Sequence, residues 1–371
     1  MNICKLGDIA KFTTGKLNSN AAQDNGKYPF FTCAPEALKI DDYAFDTEAI
    51  ILAGNNADGN FHIQHFKGKF NAYQRTYVIE SSDENKVYTK YLYYALKTCL
   101  LHFKQISQGS ATKFLTAKIL NSFELPIPEI EIQKKIAGTL GNLDKKIKTN
   151  EAINENLEQQ TQAIFSNEFL TLETLPDGWK QASLIDIADY LNGLAMQKYR
   201  PTADESGIPV LKIKELRQGC CDDNSELCSP NIKSDYIIHD GDVIFSWSGS
   251  LLVNFWCGGI CGLNQHLFKV TSNKYDKWFY YAWTKHHLDR FIAVAADKAT
   301  TMGHIKRDEL SKAEVFIPNE VDYNRIGAML QPIYDLIIAN RIENQKLAET
   351  RDTLLPKLMS GEIDISEVDY E

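Results

Sequence analysis

The sequence repeats a set of short motifs about 190 residues apart. The pentapeptide IAGTL at residues 136–140 recurs as IGAML at 326–330, and Tyr-Tyr-Ala at 93–95 recurs at 280–282. These copies are far longer than the units of a solenoid, which repeat every 20–50 residues or so. The chain is therefore predicted to fold as two related halves with pseudo-twofold symmetry, an arrangement that suits a target with two parts.

Each copy begins with a part in which short strands are predicted. Runs of β-branched and aromatic residues, such as 47–52, are bounded by Gly, Asn and Asp, which is typical of strands between turns. Helical stretches such as 90–101 separate these runs. The pattern predicts an α+β fold for two globular domains, residues 1–128 and 173–318.

Each copy then continues into a segment with the spacing of a long helix. From Ile136 and from Ile326, apolar residues follow at steps of four and three, the heptad pattern of a helix that pairs with another. A single amphipathic helix lying on a core would show a similar pattern, so both arrangements stay open. Asparagines at the same two seam positions in both copies favour the pair, because polar seam residues fix register.

We therefore predict that segments 129–172 and 319–371 form an antiparallel coiled coil with the globular domains at opposite ends. Pro332 departs from the pattern and predicts either a kink or a helix that begins there. The predicted seam residues are Ile136, Leu140, Leu143, Ile147, Asn150, Asn154, Leu157, Ile326, Leu330, Ile333, Ile337, Asn340, Asn344 and Leu347.

The distribution of charge bears on whether the chain binds DNA. The net charge is −9, but residues 129–177 carry −4 of it and residues 319–371 carry −6. Residues 1–128 sum to +2 and residues 178–318 to −1. Because a near-neutral domain can still have a basic face, the net charge does not exclude DNA. We expect low DNA affinity for the chain alone and a contribution from basic partners.

The composition predicts a cytoplasmic protein that does not span a membrane. No apolar run reaches the roughly 18 residues that a membrane helix needs, and no signal peptide follows Met1. The 8 cysteines are too few and too irregularly spaced for the disulfide framework of a small secreted domain.

Motifs of familiar catalytic chemistry are not found in the sequence. The glycine-containing run at 54–60 lacks the lysine of a phosphate-binding loop, and the sequence has neither His-Glu-x-x-His nor the Asn-Pro-Pro-Tyr motif of amino-methyltransferases. The cysteines at 220–228 and 257–261 lack zinc-finger spacing and are interpreted as small buried hydrophobes. We therefore predict no catalytic residue, no metal site and no cofactor held by this chain.

Three polar loops recur in the same order in both copies, while their side chains differ. Small polar residues and glycine let backbone amides approach phosphates, Asn and Gln suit adenine, and Arg suits guanine. Each loop alone could be an ordinary surface loop, and Gln74 and Gln265 could be structural hydrogen-bonding residues. Divergent loops on a duplicated scaffold are expected if each copy reads its own DNA sequence. The candidate DNA-contacting residues are Lys16, Asn55, Asn56, Tyr73, Gln74, Arg75, Ser110, Thr112, Lys113, Ser246, Ser248, Ser250, Asn264, Gln265, His266, Thr300, Thr301, His304 and Lys306.

Matching openings and proline-containing exits frame the two globular domains. The openings are LGDIA at 6–10 and LIDIA at 184–188, the exits are LPIPEIEIQKKI at 125–136 and FIP at 316–318, and LLPKLMSGEI at 354–363 follows near the carboxyl terminus. Across the whole chain this pattern resembles the specificity (S) subunits of type I restriction-modification enzymes.

The resemblance implies that residues 1–128 and 173–318 are target recognition domains 1 and 2, each reading one half of a split site in double-stranded DNA. It implies that the helices at 129–172 and 319–371 space these domains and dock two modification (methyltransferase) subunits, with restriction subunits joining the complex. Partner subunits would bind S-adenosylmethionine, ATP and Mg, so this chain would direct their methylation and cleavage without being an enzyme.

Two other functions stay open at this stage. A coiled-coil scaffold whose globular ends bind proteins would show no DNA affinity even with its partners present. An enzyme with an unfamiliar site, built on Asp240 and Asp242 or on a cysteine cluster, would turn over substrate as an isolated chain. The divergence of the paired loops favours DNA recognition over both.

Overall fold

The computed structural model describes residues 2–297 and 307–367, which form two compact units. Unit 1 contains the chain up to Lys145 and again from Glu349, and unit 2 contains Lys146–Ala348. Both units mix helices and strands, and each of the two long helices contributes residues to both units. The predicted α+β fold is confirmed.

Unit 1 is built on a six-stranded sheet. The strands of the whole unit are β1 (Asn2–Lys5), β2 (Ala10–Thr14), β3 (Tyr28–Phe31), β4 (Leu38–Ile40), β5 (Phe45–Ala53), β6 (Asn55–Asn56), β7 (Ile63–Ala72), β8 (Thr76–Ser81), β9 (Lys113–Phe114) and β10 (Glu124–Ile127). Its helices are α1 (Leu6–Ile9), α2 (Thr89–Thr98), α3 (Leu100–Ile106), α4 (Ala117–Ser122) and the first part of α5 (Ile130–Phe165). The sheet order is β2-β8-β5-β7-β3-β4, with β3 and β7 parallel and the other neighbours antiparallel.

The central strand β5 explains why unit 1 has a core on both faces of its sheet. Its last five residues, Ala49 to Ala53, are all buried. Ile50 and Leu52 pack with α2 and with Ile136 of α5, whereas Ala49 and Ile51 pack with Phe70 on the other face. Alternation along a strand assigns neighbouring residues to opposite faces, so a continuous apolar run is needed where both faces are covered.

Unit 2 also mixes strands and helices, but its larger sheets are two four-stranded ones. Its strands are β11 (Lys180–Ser183), β12 (Asp189–Asn192), β13 (Ile208–Leu211), β14 (Leu227–Cys228), β15 (Ile237–Ile238), β16 (Val243–Ser246), β17 (Leu252–Phe255), β18 (Cys261–Leu263), β19 (Leu267–Thr271) and β20 (Glu314–Ile317). Its helices are α6 (Leu184–Ile187), α7 (Ile213–Gln218), α8 (Lys277–His286), α9 (Leu288–Asp297), α10 (Arg307–Ser311) and part of α11 (Glu320–Ser360). The sheet orders are β12-β19-β16-β17 and β14-β13-β18-β15.

The repeated motifs take up the same positions in the two units. Each domain opening is a strand followed by one helical turn, and this first strand pairs antiparallel with the strand of the proline exit. Asn2 lies opposite Ile127 in unit 1, and Lys180 lies opposite Ile317 in unit 2. The first strand therefore closes each domain against its own exit, where the long helix begins.

Both long helices are continuous through their heptad regions. The second begins at Glu320, twelve residues before Pro332, so the interpretation of Pro332 as its start is wrong. Proline cannot donate the hydrogen bond that the carbonyl of Ala328 would normally accept. Both residues lie on an exposed face of α11, where water can replace that donor.

In unit 2 the two helices pair antiparallel through the predicted asparagines. Asn340 donates to the Oδ1 atom of Asn154 over 2.9 Å, and Asn150 donates to the Oδ1 atom of Asn344 over 2.8 Å. Partners with rising numbers on α5 thus have falling numbers on α11, as an antiparallel pair requires. All fourteen predicted seam residues are buried or half-buried.

In unit 1 the first turns of α5 lie in the core of the domain. Ile136 and Leu140 pack with the globular domain and also with Leu355 and Leu358 of α11. In unit 2, Ile326 and Leu330 of α11 likewise belong to the core of their own domain. Each long helix thus begins with a broad apolar face that packs on the core of a domain. Beyond that start it continues with a narrow seam that pairs with the other helix.

No helix in the described ranges is both long and apolar enough to cross a membrane.

Candidate nucleic-acid interface

In unit 1 the folding brings together loops that are distant in sequence. Strand β6, which is only Asn55 and Asn56, pairs antiparallel with β9, so that Asn55 lies opposite Phe114 and Asn56 opposite Lys113. The next residue on, Leu115, donates its backbone N–H to the carbonyl of Gly54 over 2.9 Å. The loop after β5 and the loop before α4 therefore form one surface.

The third loop of unit 1, Tyr73–Arg75, joins the same surface. Gly54 donates its backbone N–H to the carbonyl of Arg75 over 2.8 Å. The guanidinium of Arg75 lies over the ring of Phe114, 5.7 Å from its centroid. Three loops singled out separately in the sequence thus converge at one place, and we call this the unit 1 face.

The backbone of the Tyr73–Arg75 loop is fixed while its side chains remain exposed. Gln74 donates its backbone N–H to the carbonyl of Leu17 over 2.9 Å. A side chain at Gly15 would lie 1.7 Å from the carbonyl oxygen of Ala72, so only glycine permits this close approach. The side chains of Lys16, Gln74 and Arg75 are exposed on the anchored loops.

A tight hairpin carries the remaining candidates of unit 1. Gln108 and Phe114 exchange two backbone hydrogen bonds, of 3.0 and 2.7 Å, which close the loop between them. Ser110 at its tip is exposed, whereas Thr112 and Lys113 are half-buried. This anchoring places Lys113 beside Asn56 on the unit 1 face.

In unit 2 the Ser246–Ser250 turn and the Asn264–His266 loop lie against each other. The hydroxyl of Ser248 lies 3.0 Å from the Nδ1 atom of His266, and Trp247 donates its backbone N–H to the carbonyl of His266 over 3.4 Å. Ser246 and Ser248 are buried, and the Ser246 hydroxyl donates to the carbonyl of Ser250 over 2.9 Å. These two serines therefore shape the turn, and Ser250 is its exposed hydroxyl.

The Asn264–His266 loop of unit 2 repeats the anchoring of the Tyr73–Arg75 loop. Gln265 donates its backbone N–H to the carbonyl of Leu194 over 2.9 Å, as Gln74 does to Leu17. Gly193 stands where Gly15 stands, because a side chain there would lie 2.2 Å from the carbonyl oxygen of Asn264. In both units the backbone of the glutamine anchors the loop, while the Gln74 side chain is exposed and that of Gln265 is half-buried.

A concave pocket of about 380 Å³ opens beside this loop in unit 2. Sequence reasoning missed three of the residues that line it, Gln197, Lys212 and Lys214. Lys212 pairs with Glu226 at 2.5 Å and Lys214 with Asp222 at 3.1 Å, so acidic neighbours partly compensate both charges. The Lys-x-Lys spacing at the start of α7 could have indicated a basic surface from sequence. Only the fold, however, places these lysines beside Gln265. We call the exposed and pocket-lining residues of the two loops, with these three, the unit 2 face.

Four predicted contact residues, Thr300, Thr301, His304 and Lys306, lie outside the residues that the structure describes.

The two aspartates considered for catalysis have structural roles. Asp242 accepts a hydrogen bond from the backbone N–H of His239 over 2.9 Å and pairs with Lys269 at 2.8 Å, while Asp240 accepts from the backbone of Gly259. Burial raises the pKa of the Cys261 thiol, which disfavours its thiolate form, whereas the hydrogen bond with Cys261 lowers the pKa of the half-buried Cys221 thiol. Within residues 2–297 and 307–367, no group of three or more His, Cys, Asp or Glu could hold a metal ion.

The family of the chain follows from its comparison with known proteins. The model of a family described as "Type I restriction modification DNA specificity domain" matches residues 1–159 and again residues 176–349. These two matches correspond to the two copies of the repeat, and together they cover most of the chain. The chain belongs to the family of type I restriction-modification specificity subunits, as its motifs indicated.

Individual relatives agree with this assignment. The chain is 38% identical over 415 aligned residues to the specificity subunit of the type I restriction enzyme EcoDI of Escherichia coli, with 97% of this chain and 88% of that subunit covered. It is 28% identical to the MjaIX specificity subunit of Methanocaldococcus jannaschii, over 76% of this chain and 71% of that one. The crystal structure of a type I restriction-modification S subunit from M. genitalium has the same fold, with a TM-score of 0.62 at 15% identity, and the match covers 96% of this chain and 95% of that one.

Proposed function

We propose that this chain is the noncatalytic DNA-recognition subunit of a type I restriction-modification system. Target recognition domain 1 (residues 1–128) reads one half of a split site in double-stranded DNA, and domain 2 (residues 173–318) reads the other. The segments 129–172 and 319–371 set the gap between the half-sites. Two modification subunits and restriction subunits dock on this chain in the cytoplasm and supply S-adenosylmethionine, ATP and Mg.

The observation that carries the proposal is the convergence of three loops on the unit 1 face. Lys16, Arg75 and Lys113 supply positive charge there, and no ion-pair partner of these three lies in the described ranges. Phosphate contacts and base contacts both call for such donors, held on a fixed backbone. The close approach of Gly15 to Ala72 and the hydrogen bond from Gln74 to Leu17 supply such a fixed backbone.

The unit 2 face supports reading of a second, different sequence. The same backbone anchor carries Gln265 and His266 in place of Gln74 and Arg75. The side chain of Gln265 lies 3.3 Å from the Nε2 atom of His266, and both residues line the pocket of unit 2. Equal anchoring with unequal side chains is expected of two readers with separate half-sites.

Methylome sequencing tests the proposal in a host that expresses the chain with its modification subunit. We expect a split, adenine-methylated motif that disappears when this chain is deleted and returns when it is restored. An active modification subunit whose motif does not depend on this chain would contradict the proposal. That result would favour a coiled-coil scaffold that binds proteins without recognising DNA.

A further inference from the structure

Three asparagines of the loop at 54–60, which follows β5 on the unit 1 face, direct their carbonyl oxygens at groups of the protein itself. The Oδ1 atom of Asn55 accepts from the thiol of Cys33 over 3.0 Å. The Oδ1 atom of Asn56 accepts from the backbone N–H groups of Asp58 and Asn60, over 2.9 and 3.0 Å. The Oδ1 atom of Asn60 accepts from Lys104 over 2.8 Å. Both lone pairs of the Asn56 oxygen are thus in use, and the oxygens of Asn55 and Asn60 each have one in use, so the three oxygens are directed at the protein while the amino groups remain donors for a ligand.

The charged residues of this face add further donors. Arg75 has five N–H donors and no acceptors, and the ring of Phe114 beneath it favours one plane for the guanidinium. Lys113 lies opposite Asn56 in the β6–β9 pair. The exceptions are Gln74, whose amino group is bound to Asn18 over 2.8 Å so that its carbonyl is the free group, and the exposed carboxylate of Asp58.

This arrangement discriminates between base pairs in the major groove. Adenine presents one acceptor and one donor, so an asparagine needs both halves of its amide free to bind it bidentately. Guanine presents two acceptors, N7 and O6, which match two donors, and the cytosine paired with it presents an amino donor. Asn55, whose carbonyl oxygen is directed at the Cys33 thiol, presents its amino group more readily than both halves of its amide, which favours an acceptor on the base. Arg75 suits guanine, and Gln74 or Asp58 can accept from the cytosine.

We infer that the unit 1 face specifies a G·C pair in its half-site, read by Arg75 and Asn55, and that Cys33 is a positioning residue which fixes the amide of Asn55 as a donor. This inference rests on the proposed function. Cys33 suits the role because it is half-buried and also contacts the carbonyl of Arg75, at 3.5 Å, and the hydroxyl of Thr76, at 3.8 Å. It thereby links the two loops whose side chains do the reading.

The test uses the full chain with its modification subunit, and methylome sequencing reports the methylated fraction at the cognate motif and at every single-base variant of it. The half-site of unit 1 is the one whose specificity changes in Arg75→Ala. We expect it to contain a G·C pair at which Arg75→Lys lowers discrimination by roughly five- to hundred-fold, because an ammonium group lacks the planar fork by which a guanidinium binds N7 and O6 and stacks on Phe114.

Cys33→Ala should relax discrimination at the same half-site, since the Asn55 amide can then turn its carbonyl outward. Cys33→Ser keeps a donor at this position and should retain discrimination. If Cys33 had only a structural role, loss of the sulfur would lower discrimination in both variants. Cys4→Ala is a matched control, because Cys4 is also a half-buried cysteine of unit 1 but lies in β1, away from this face.

Two contrary results are distinguishable. A split motif whose unit 1 half-site contains only A·T pairs, or is unaffected by Cys33→Ala, would overturn this inference and leave the proposed function intact. A methylated motif that does not depend on the chain at all would overturn both.

Discussion

Asn340 and Asn154 form a direct side-chain hydrogen bond across the two long helices in unit 2. The Nδ2 atom of Asn340 donates to the Oδ1 atom of Asn154 over 2.9 Å, and Asn154 in turn donates to the carbonyl of Ile337 over 3.2 Å. Both asparagines are less than a tenth exposed. Because buried amides need partners, this pair favours one register of the helices over neighbouring ones.

Removing one member of this pair should cost more than removing both. Asn340→Ala leaves the Asn154 carbonyl buried without its donor, and we expect a loss of about 1–3 kcal/mol in the free energy of unfolding. The double variant Asn154→Leu/Asn340→Leu should lose much less, because two apolar groups replace two polar ones. All five tryptophans lie in unit 2, so their fluorescence during urea unfolding reports on this unit. Asn156→Ala, at an exposed position of α5, is the control, and equal losses in single and double variants would contradict the account.

The Asp144–Arg351 pair should show the same asymmetry in unit 1. Arg351 donates to the Oδ1 atom of Asp144 over 2.8 Å, and the hydroxyl of Tyr94 donates to its Oδ2 atom over 2.5 Å. Arg351→Met should destabilise unit 1 by about 1–3 kcal/mol, since it leaves a largely buried carboxylate with one donor fewer. Hydrogen exchange of α2 and the first half of α5 measures this loss.

A double-mutant cycle with Asp144→Leu supplies the control for that pair. We expect Asp144→Leu/Arg351→Met to recover part of the loss, because the carboxylate goes with its partner. The exposed pair Lys134–Glu131, 3.0 Å apart, is the comparison, and its removal should have no measurable effect. Additive losses at Asp144 and Arg351 would show that the two do not interact.

Unit 2 should lose stability as the pH falls from about 6.5 towards 4. Burial lowers the pKa of His287 to about 4, and His286 and Arg290 nearby also disfavour its cation. The neutral ring donates from Nε2 to the carbonyl of Glu314 over 2.7 Å. The unfolded chain binds a proton in this range and the folded chain does not, so stability is complete above pH 6.5 and the loss approaches about 3 kcal/mol below pH 4.

Urea unfolding of His287→Gln across this pH range checks that expectation. The glutamine amide can donate to the same carbonyl but does not titrate, so the variant should show a weaker pH dependence than the parent chain. Parallel pH profiles for the parent and His287→Gln would rule out this histidine as the source.

If the helix pair sets the gap between half-sites, lengthening both helices together should lengthen the gap. One heptad inserted after Asn150 in α5 and one inserted before Asn344 in α11 preserve the seam, because these two residues are partners. Seven residues add about 10.5 Å, which is roughly three base pairs of DNA. Methylome sequencing should show a gap about three base pairs longer, and an unchanged gap would exclude this role for the helices.

The sequence predicted the repeat and the paired long helices well, because duplicated motifs and heptad spacing can be seen in the sequence itself. The repeat, the paired helices and the positions of Asn154 and Asn340 all follow from spacing alone. The first turns of the long helices were less predictable, since Ile136 is spaced like a seam residue but packs in the core of its domain. Pro332 was misleading because it lies on an exposed face of α11, where the helix tolerates the missing backbone N–H donor and continues.

The candidate interface was less accessible from sequence. Strand β6 is two residues long and pairs with a segment 57 residues later, at Asn56 and Lys113, which no local pattern announces. The burial of Ser246 also depends on how its turn packs, so a polar side chain there predicts exposure that the fold does not provide. Cys33 had no signal at all, since its role depends on contacts with two loops that the chain reaches later.

The most direct measurement of the central claim is the methylome of two paired variants of the full chain, Gln74→Ala/Arg75→Ala and Gln265→Ala/His266→Ala. We predict that the first pair relaxes or abolishes specificity at one half-site only and the second pair at the other half-site only. Loss of methylation at all sites alike in both variants, with the variants folded, would contradict the claim that each unit reads its own half of the target.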